Sequence, residues 1–231
     1  MKTLIVIPAR YASSRFPGKP LALIHGQPMI RWVYESVCLS GADATVVATD
    51  DERIANTVLD FGGRVMMTAQ DHENGTSRCR EVAEKYGEYE LVINVQGDEP
   101  LIHPSCLKDI IGELEKGHHI VSLYHELQAD QAQDPDKVKV VLDAFGQALY
   151  FSRAPIPYPR GGQADYYQHV GVYGFKRELL IQLGAVSTGK LAKTESLEQL
   201  SWLEQGHKVK MIRTGELHFG VDTEQDLSDI E

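Results

Sequence analysis

The sequence predicts an α/β fold in which a mixed, mainly parallel sheet is flanked by helices. Its segments follow one another in the repeated order strand, loop, helix. Most predicted strands are short, continuous apolar runs, which are typical of a parallel sheet covered on both faces. The second half of the chain is richer in strands, proline and glycine, which indicates a smaller antiparallel excursion. We therefore expect a single domain over residues 1–231.

The predicted elements alternate along the chain. Strands are expected at Leu4–Ile7, Thr45–Ala48, Arg64–Met67, Leu91–Val95, Ile120–Tyr124, Lys137–Leu142, Ala148–Ser152, Gln168–Gly174 and Lys208–Ile212. Helices are expected at Pro28–Leu39, Asp51–Phe61, Thr76–Tyr86, Pro104–Lys116, Arg177–Leu183, Glu195–Glu204 and Glu224–Ile230. Thr49 and Glu52 have the spacing of a capping box, and Pro104 suits the first position of a helix.

A segment rich in proline and glycine interrupts the second half of the chain. Its members are Pro155, Pro157, Pro159, Gly161 and Gly162. Proline cannot donate a ladder hydrogen bond, and glycine weakens a strand. We interpret this segment as an arm that leaves the main sheet, not as a linker to a second domain.

The composition excludes several classes of protein. A net charge of −10 lacks the basic surface that general nucleic-acid binding requires. No apolar run is long enough to span a bilayer, and the N-terminus lacks the pattern of a signal peptide. The three cysteines, Cys38, Cys79 and Cys106, are too widely spaced for a disulfide framework or a zinc site. We therefore expect a cytoplasmic protein with reduced thiols and no membrane insertion.

The loop after the first strand concentrates positive charge. Arg10, Arg15 and Lys19 lie within ten residues of an otherwise acidic chain. The loop is not a Walker A motif, because Ser13 and Pro20 stand where that motif has Gly and Ser or Thr. A surface turn with scattered cations would have the same composition. Because ligands bind at the carboxyl ends of strands in open α/β sheets, we expect this loop to hold a polyphosphate.

Two segments with an aspartate follow predicted strands. In the first, Gln96 offers an amide suited to the edge of a base, and Asp98 is placed to bind Mg²⁺. In the second, Asp222 opens the last helix. A simple turn at Asp98 and an N-cap at Asp222 are the plain alternatives. Taken together, the two aspartates predict a magnesium site with two carboxylates.

Three further segments carry polar side chains suited to ligand binding. Arg78 follows a glycine turn at a helix start, where an anionic group could bind. His169 and Tyr173 fall on one side of an alternating strand, although a half-buried strand with a satisfied histidine has the same pattern. Glu198 and Gln199 lie off the leucine stripe of a predicted helix. They would meet either a polar ligand or solvent.

Eight motifs in the same order along the chain resemble those of the 3-deoxy-manno-octulosonate cytidylyltransferases, the CMP-Kdo synthetases. They are Pro-Ala-Arg-Tyr-x-Ser-x-Arg-x-Pro-Gly-Lys-Pro-Leu (8–21), Ala-Thr-Asp-Asp (48–51), His-x-x-Gly-Thr-x-Arg (72–78), Asn-Val-Gln-Gly-Asp-Glu-Pro (94–100), Ala-Leu-Tyr-Phe-Ser-Arg (148–153), His-Val-Gly-Val-Tyr-Gly (169–174), Ser-Leu-Glu-Gln-Leu (196–200) and Gly-Val-Asp-Thr (220–223). The resemblance implies a nucleotide-diphospho-sugar transferase (Rossmann-like) fold and a homodimer. It also implies a Mg²⁺-dependent nucleotidyltransferase that makes a CMP-sugar and pyrophosphate from CTP and an octulosonate sugar, for lipopolysaccharide biosynthesis.

The resemblance assigns the nucleotide to the first half, residues 1–125, and the sugar and the dimer interface to residues 126–231. The implied nucleotide-binding residues are Ala9, Arg10, Arg15, Lys19, Arg78 and Gln96, with Arg10, Lys19 and Asp98 as the catalytic set. The implied magnesium ligands are Asp98 and Asp222. The implied sugar-binding residues are Arg153, His169, Tyr173, Glu198 and Gln199.

One departure from the family pattern bears on the choice of sugar. The motif that ends at Leu200 usually continues with Arg, and this chain has Ser201 there. Loss of a cation near the sugar would suit the 8-amino-3,8-dideoxy analogue of Kdo, which carries its own positive charge. Two other functions compete with an octulosonate cytidylyltransferase. They are a CMP-sialic-acid-type synthetase and a non-catalytic nucleotide-binding regulator.

Overall fold

The computed structural model describes residues 1–12, 16–183, 188–215, 220–221 and 223–230. The described strands are β1 (Thr3–Pro8), β2 (Leu23–Ile24), β3 (Gln27–Pro28), β4 (Ala44–Thr49), β5 (Val65–Met67), β6 (Leu91–Asn94), β7 (Ile120–Leu127), β8 (Lys139–Leu142), β9 (Ala148–Ser152), β10 (Tyr166–Lys176) and β11 (Lys210–Arg213). The described helices are α1 (Met29–Cys38), α2 (Glu52–Asp60), α3 (Gly75–Lys85), α4 (Pro104–Glu115), α5 (Arg177–Leu183), α6 (Lys190–Glu195), α7 (Gln199–Glu204) and α8 (Glu224–Ile230). None of these helices has the length and apolar character needed to cross a membrane.

A mixed sheet joins both halves of the chain. The strand order in the described residues is β11-β7-β10-β6-β1-β4-β5, with β8 paired to β10 and β9 paired to β8. Within the seven-strand path, β10 runs antiparallel to β6 and β7, whereas the other pairs are parallel. The β8–β9 hairpin is antiparallel as well. The predicted mainly parallel sheet with a smaller antiparallel part is therefore confirmed.

Both faces of the sheet are buried. In β1, Leu4 and Val6 belong to one apolar cluster, and Ile5 and Ile7 belong to the other. Helices α3 and α5 cover the first face, while α1, α2 and α4 cover the second. Because successive side chains of a strand point to opposite faces, this arrangement requires the continuous apolar runs seen in the sequence.

Two local predictions were wrong. The helix expected at Glu195–Glu204 begins only at Gln199 as α7, because Ser196 adopts a left-handed conformation with φ 54° and separates it from α6, a helix that was not predicted. The capping box expected from Thr49 does not form, since Asp51 caps α2 by accepting a hydrogen bond from the Arg53 N–H. Pro104 is the first residue of α4, as predicted.

Candidate active site

The loops that carry the predicted nucleotide-binding residues meet at one edge of the sheet. Strands β6, β1 and β4 are adjacent and parallel, so their carboxyl ends lie side by side. The Gly97 N–H donates to the Pro8 carbonyl at 3.3 Å, and the Ala9 N–H donates to the Ala48 carbonyl at 2.9 Å. These bonds tie the loop after β1 to the loop after β6 and to β4. Ligands of open α/β sheets bind in this kind of crevice.

The basic loop is closed by contacts of Tyr11. The Tyr11 carbonyl accepts a hydrogen bond from the Gly18 N–H at 2.9 Å. Arg53 stacks on the Tyr11 ring, with its guanidinium carbon 3.3 Å from the ring centroid. Gly18 has a φ of 72°, and a Cβ there would lie 3.0 Å from the same ring. Glycine is required at this position both for its backbone conformation and for its close approach to Tyr11.

The residues of this loop differ in exposure. Ala9 is buried and forms part of the wall of the crevice, whereas Arg10 is exposed. No hydrogen bond or ion pair joins the Arg10 side chain to the described part of the chain. The predicted phosphate ligand Arg15 lies outside the described residues.

Lys19 and Asp98 form an ion pair across the crevice. Lys19 Nζ lies 2.5 Å from Asp98 Oδ2. The Lys19 side chain is 10% exposed and that of Asp98 is 32% exposed. A cation from the loop after β1 and an anion from the loop after β6 are thus brought together at the predicted phosphate position.

The predicted metal ligand Asp222 lies outside the described residues. Its neighbour Val221 donates its N–H to the Asp98 carbonyl at 2.9 Å, so the two segments that carry the aspartates are adjacent. Among the described residues, no group of three or more His, Cys, Asp and Glu side chains is arranged to hold a metal ion. One or two carboxylates with phosphates and waters are typical of Mg²⁺, so this arrangement fits that ion.

Arg78 is buried and holds two loops together. Its Nη1 donates to Thr68 Oγ1 at 2.5 Å, and its Nη2 lies 3.4 Å from Asp50 Oδ1. The guanidinium therefore braces the carboxyl end of β4 against the segment after β5. Some of its donors are therefore already used within the protein.

Gln96 is packed against the start of α3. Its Nε2 donates to Asn94 Oδ1 at 3.0 Å. A Cβ on Gly75 would lie 2.8 Å from Gln96 Nε2, so only glycine allows this approach. Asn74 caps the same helix end by accepting from the Ser77 N–H at 2.8 Å. The amide side chain is thus fixed beside a capped helix N-terminus.

The predicted sugar-binding residue His169 is buried and neutral. Tyr173 pairs with Asn94 across β10 and β6, and His169 lies further along β10, past the end of β6. The His169 Nε2 lies 3.0 Å from Ser122 Oγ, which donates to the Val172 carbonyl at 2.8 Å. Because a hydroxyl has one proton, His169 donates from Nε2 and keeps Nδ1 as an acceptor. Burial lowers the pKa of His169 from 6.5 to about 3.

Aromatic rings support this histidine. The His169 ring lies 4.9 Å from the Phe151 centroid and 5.3 Å from the Tyr173 centroid. Tyr173 packs edge-on against Trp202 at 4.9 Å. Burial raises the pKa of the Tyr173 phenol well above 10, and Gln199 is buried beside this cluster at the start of α7. The arrangement forms a rigid, largely apolar wall with few polar atoms.

Glu198 has an unusual environment for a carboxylate. Its Oε1 accepts from Thr76 Oγ1 at 2.8 Å. Its Oε2 is buried and has no hydrogen-bond partner among the described residues. Burial raises the pKa of Glu198 from 4.5 to about 7. Thr76 was not among the residues predicted for the site, since a threonine at a helix start has no distinctive signal.

Arg153 belongs to a compact polar cluster with two residues that sequence reasoning missed, Lys139 and Glu195. The Arg153 Nε donates to the Glu195 carbonyl at 2.9 Å, and its Nη1 donates to the Pro135 carbonyl at 2.9 Å. The fully buried Lys139 donates to the carbonyls of Asp134 and Arg153 at 2.7 and 2.6 Å. Burial lowers the pKa of Lys139. Arg153 is therefore firmly positioned, with its second terminal nitrogen left for a ligand.

Comparison with known proteins gives consistent matches over the whole chain. Residues 4–211 match the family model described as cytidylyltransferase. A 3-deoxy-manno-octulosonate cytidylyltransferase from Fusobacterium nucleatum is 45% identical over 100% of this chain and 96% of its own length. The enzyme of the same name from Parabacteroides distasonis is 42% identical over 98% of this chain and 96% of its own length.

Two solved structures are similar as well. CMP:2-keto-3-deoxy-manno-octonic acid synthetase complexed with CTP matches with a TM-score of 0.95 and 41% identity, over 100% of this chain and 97% of that chain. A cytidylyltransferase from Leptospira borgpetersenii matches with a TM-score of 0.66 and 16% identity, over 98% of this chain and 83% of that chain. The second likeness extends to the fold alone.

Proposed function

This chain belongs to the 3-deoxy-manno-octulosonate cytidylyltransferase family, and we propose that it joins the cytidylyl group of CTP to the sugar Kdo. The products are CMP-Kdo and pyrophosphate, and the activated sugar serves lipopolysaccharide assembly. One observation carries the proposal. Lys19 and Asp98 meet at the carboxyl ends of β1 and β6, in a chain that aligns over its full length with a CTP-complexed synthetase.

In this proposal, cations of the first loop bind the triphosphate. Arg10 is exposed without a partner in the described residues, so its guanidinium can turn to phosphate oxygens. The proposal assigns the same role to Arg15. Lys19 is held at Asp98 and supplies a point charge at the same place. Arg78, Gln96 and the wall at Ala9 fix the nucleoside. The first half, residues 1–125, is then mainly nucleotide-binding.

We assign the metal to Asp98 and Asp222, with Mg²⁺ as the ion. The adjacency of Val221 and Asp98 supports this assignment. A bound Mg²⁺ would neutralise charge on the triphosphate and lower the pKa of the attacking hydroxyl. Asp98 then has two partners, since its carboxylate would orient both Lys19 and the ion.

The sugar would bind against the wall formed by β10 and α7. His169 offers Nδ1 as an acceptor for a sugar hydroxyl, and Tyr173 and Gln199 supply further polar atoms on rigid elements. Arg153 is positioned to pair with the sugar carboxylate through its second terminal nitrogen. Glu198 would accept a donor from the sugar at its buried Oε2. Residues 126–231 are thus mainly sugar-binding, within a single domain that one sheet unites.

The chemistry follows from this placement. The anomeric hydroxyl at C2 of the sugar attacks the α-phosphorus and loses its proton to water, a new O–P bond forms, and the bond to pyrophosphate breaks. Arg10, Arg15 and Lys19 neutralise the phosphate oxygens and hold the leaving group in line with the attack. The residues contribute mainly positioning and charge neutralisation.

The structure gives Ser201 a local role that does not depend on the sugar. Ser201 is 9% exposed, and its Oγ accepts from the Gly189 N–H at 3.1 Å. The hydroxyl therefore ties the start of α6 to α7. This position by itself does not favour the 8-amino analogue over Kdo.

The homodimer and the cytoplasmic location are part of the same proposal. Three large apolar side chains of the second half are strongly exposed: Phe145 at 79%, Leu149 at 61% and Tyr158 at 83%. Tyr158 lies on the proline-rich arm. Large apolar side chains exposed to this degree support an interface in this part of the chain. The three free cysteines fit the reducing cytoplasm, where CTP is made.

Mass spectrometry of the products tests the proposal. The protein is incubated with CTP and Mg²⁺ and with Kdo, its 8-amino-3,8-dideoxy analogue or a sialic acid. We expect a CMP adduct with Kdo and equimolar pyrophosphate. An adduct with the sialic acid alone would identify the competing synthetase, and greater efficiency with the amino sugar would revise the substrate. CTP binding with no adduct would favour a non-catalytic regulator.

A further inference from the structure

Three hydrogen bonds in series connect the nucleotide side of the crevice to the sugar side. Gln96 Nε2 donates to Asn94 Oδ1 at 3.0 Å, and Asn94 Nδ2 donates to Thr76 Oγ1 at 3.4 Å. Thr76 Oγ1 in turn donates to Glu198 Oε1 at 2.8 Å. Asn94 is fully buried and Thr76 is 7% exposed. The amide at one end and the carboxylate at the other are thus linked through two buried polar side chains.

The carboxylate fixes the direction of this series. The Thr76 hydroxyl gives its single proton to Glu198 Oε1, which accepts it whether the carboxyl is ionised or carries its own proton on Oε2. The threonine oxygen can then only accept from Asn94, which turns the Asn94 amide nitrogen toward it. The Asn94 oxygen consequently faces Gln96 and must receive an N–H. Each step leaves one orientation of the next side chain.

The far end of the series is the Gln96 amide. Because one N–H of Gln96 Nε2 is committed to Asn94, the amide is held in one orientation, and the carbonyl oxygen Oε1 is the acceptor left for a ligand. No described residue donates a hydrogen bond to Oε1. Gly75 packs directly beneath the amide and holds its plane in place. The side chain therefore presents the acceptor Oε1 at a fixed position, beside the second N–H of Nε2.

We propose that Glu198 is a positioning residue for the nucleobase, acting through Thr76 and Asn94 to keep the Gln96 carbonyl oxygen toward the substrate. The acceptor favours a pyrimidine that carries an amino group at C4, which donates, over one that carries a carbonyl, which accepts. This inference rests on the proposed function, because it takes Gln96 to lie beside the base. It makes the choice of cytidine over uridine depend on a residue of the sugar side.

The steric and electrostatic roles of the series can be separated at Thr76. Valine has nearly the shape of threonine but cannot pass on the proton, so Thr76→Val interrupts the series with little change in volume. Thr76→Ser keeps the hydroxyl and serves as the matched control. A purely structural loss would lower the use of CTP and UTP equally. A loss of the Gln96 amide orientation would lower kcat/KM for CTP more than kcat/KM for UTP.

The experiment measures kcat/KM for CTP and for UTP with saturating sugar in the wild type and both variants. We expect Thr76→Val to lower the CTP-to-UTP ratio by at least about tenfold, which corresponds to about 1.4 kcal/mol. Thr76→Ser should keep the ratio within about twofold of the wild type, which is below 0.5 kcal/mol by the same relation. An unchanged ratio in Thr76→Val would overturn the proposal.

A second variant and a sugar-free measurement keep the test decisive. Glu198→Gln can offer either an oxygen or an N–H to Thr76, so it removes the fixed direction and should also lower the ratio. Calorimetric binding of CTP and UTP without sugar gives the same ratio independently of turnover. If the wild type makes no CMP-sugar, the proposed function fails while the binding ratios still decide this inference. Equal binding ratios in the wild type and both interrupted variants would refute it.

Discussion

Lys19 Nζ and Asp98 Oδ2 lie 2.5 Å apart, although the two residues are 79 positions apart in the chain. The pair joins the loop after β1 to the loop after β6, on neighbouring parallel strands. Under the proposed metal assignment, Asp98 serves two cations in turn. Its carboxylate would hold Lys19 before the substrate binds, and it would share its charge between the lysine and Mg²⁺ afterwards.

Replacement of Asp98 by Asn should therefore abolish most of the activity. The change removes the proposed metal ligand and the charge that orients Lys19, so we expect kcat/KM for CTP to fall by at least about 100-fold. The rate of pyrophosphate release measures this fall in kcat/KM. Asp60→Asn, an exposed aspartate at the end of α2, loses the same charge and should remain near wild type. An Asp98→Asn enzyme with near wild-type turnover would refute the metal assignment.

The hydrogen bonds of Lys139 should stabilise both the fold and the sugar site. Lys139→Met leaves the carbonyls of Asp134 and Arg153 without their donor, and we expect a loss of about 2 to 4 kcal/mol in the free energy of unfolding. Because Arg153 is held from the same cluster, KM for the sugar should rise more than KM for CTP. Urea unfolding and steady-state kinetics measure the two effects. Lys137→Met, at a less buried position two residues before β8, is the control, and equal losses in both variants would contradict this role.

The sequence predicted the order of the elements because continuous apolar runs such as Leu4–Ile7 indicate buried strands without any knowledge of tertiary contacts. It predicted the positions of Lys19 and Asp98 because residues after adjacent parallel strands share one edge of the sheet. The break between α6 and α7 was not predicted, since the left-handed Ser196 lies in a pattern that favours a continuous helix. Propensity is overridden there by tertiary packing.

The polar contacts within the site were beyond sequence reasoning for a different reason. Thr76 and Glu198 are separated by 122 positions, and neither has a local pattern that indicates the other. Lys139 has a charged side chain of the kind usually exposed on a strand, yet it is fully buried and donates to two carbonyls. Such pairings depend on the register of distant elements, which a single sequence does not encode in a local motif.

The exposed apolar side chains of the second half should contribute to a dimer. We expect Leu149→Glu to shift the protein toward monomer, because burying an unpaired charge in an apolar interface costs free energy. Sedimentation velocity at several concentrations measures the change. Leu59→Glu is the matched control, since Leu59 is exposed to 57% on α2 and lies outside this patch. A monomeric wild type, or an equal effect of the two substitutions, would argue against an interface here.

The buried His169 should make the fold sensitive to acid. Its pKa falls from 6.5 to about 3, so below pH 6.5 the unfolded chain takes up a proton that the folded protein does not. Stability is therefore lost as the pH falls from 6.5 toward 3, by up to about 5 kcal/mol over the whole window. His169→Gln should flatten this part of the profile in urea unfolding. His119→Gln, an exposed histidine, should leave the wild-type slope intact.

Glu198 should make the folded protein less stable as the pH rises, which is the opposite of the effect of His169. Its pKa rises from 4.5 to about 7, so between these values the folded protein binds a proton that the unfolded chain has released. Stability is therefore lost as the pH rises through this window, and the full cost, up to about 3 kcal/mol, is present above pH 7. Glu198→Gln has no charge to bury, so its free energy of unfolding should fall less than that of the wild type between pH 5 and 8. Glu88→Gln, at an exposed position, should follow the wild type, and parallel profiles for Glu198→Gln and the wild type would mean that the buried carboxylate carries no such penalty.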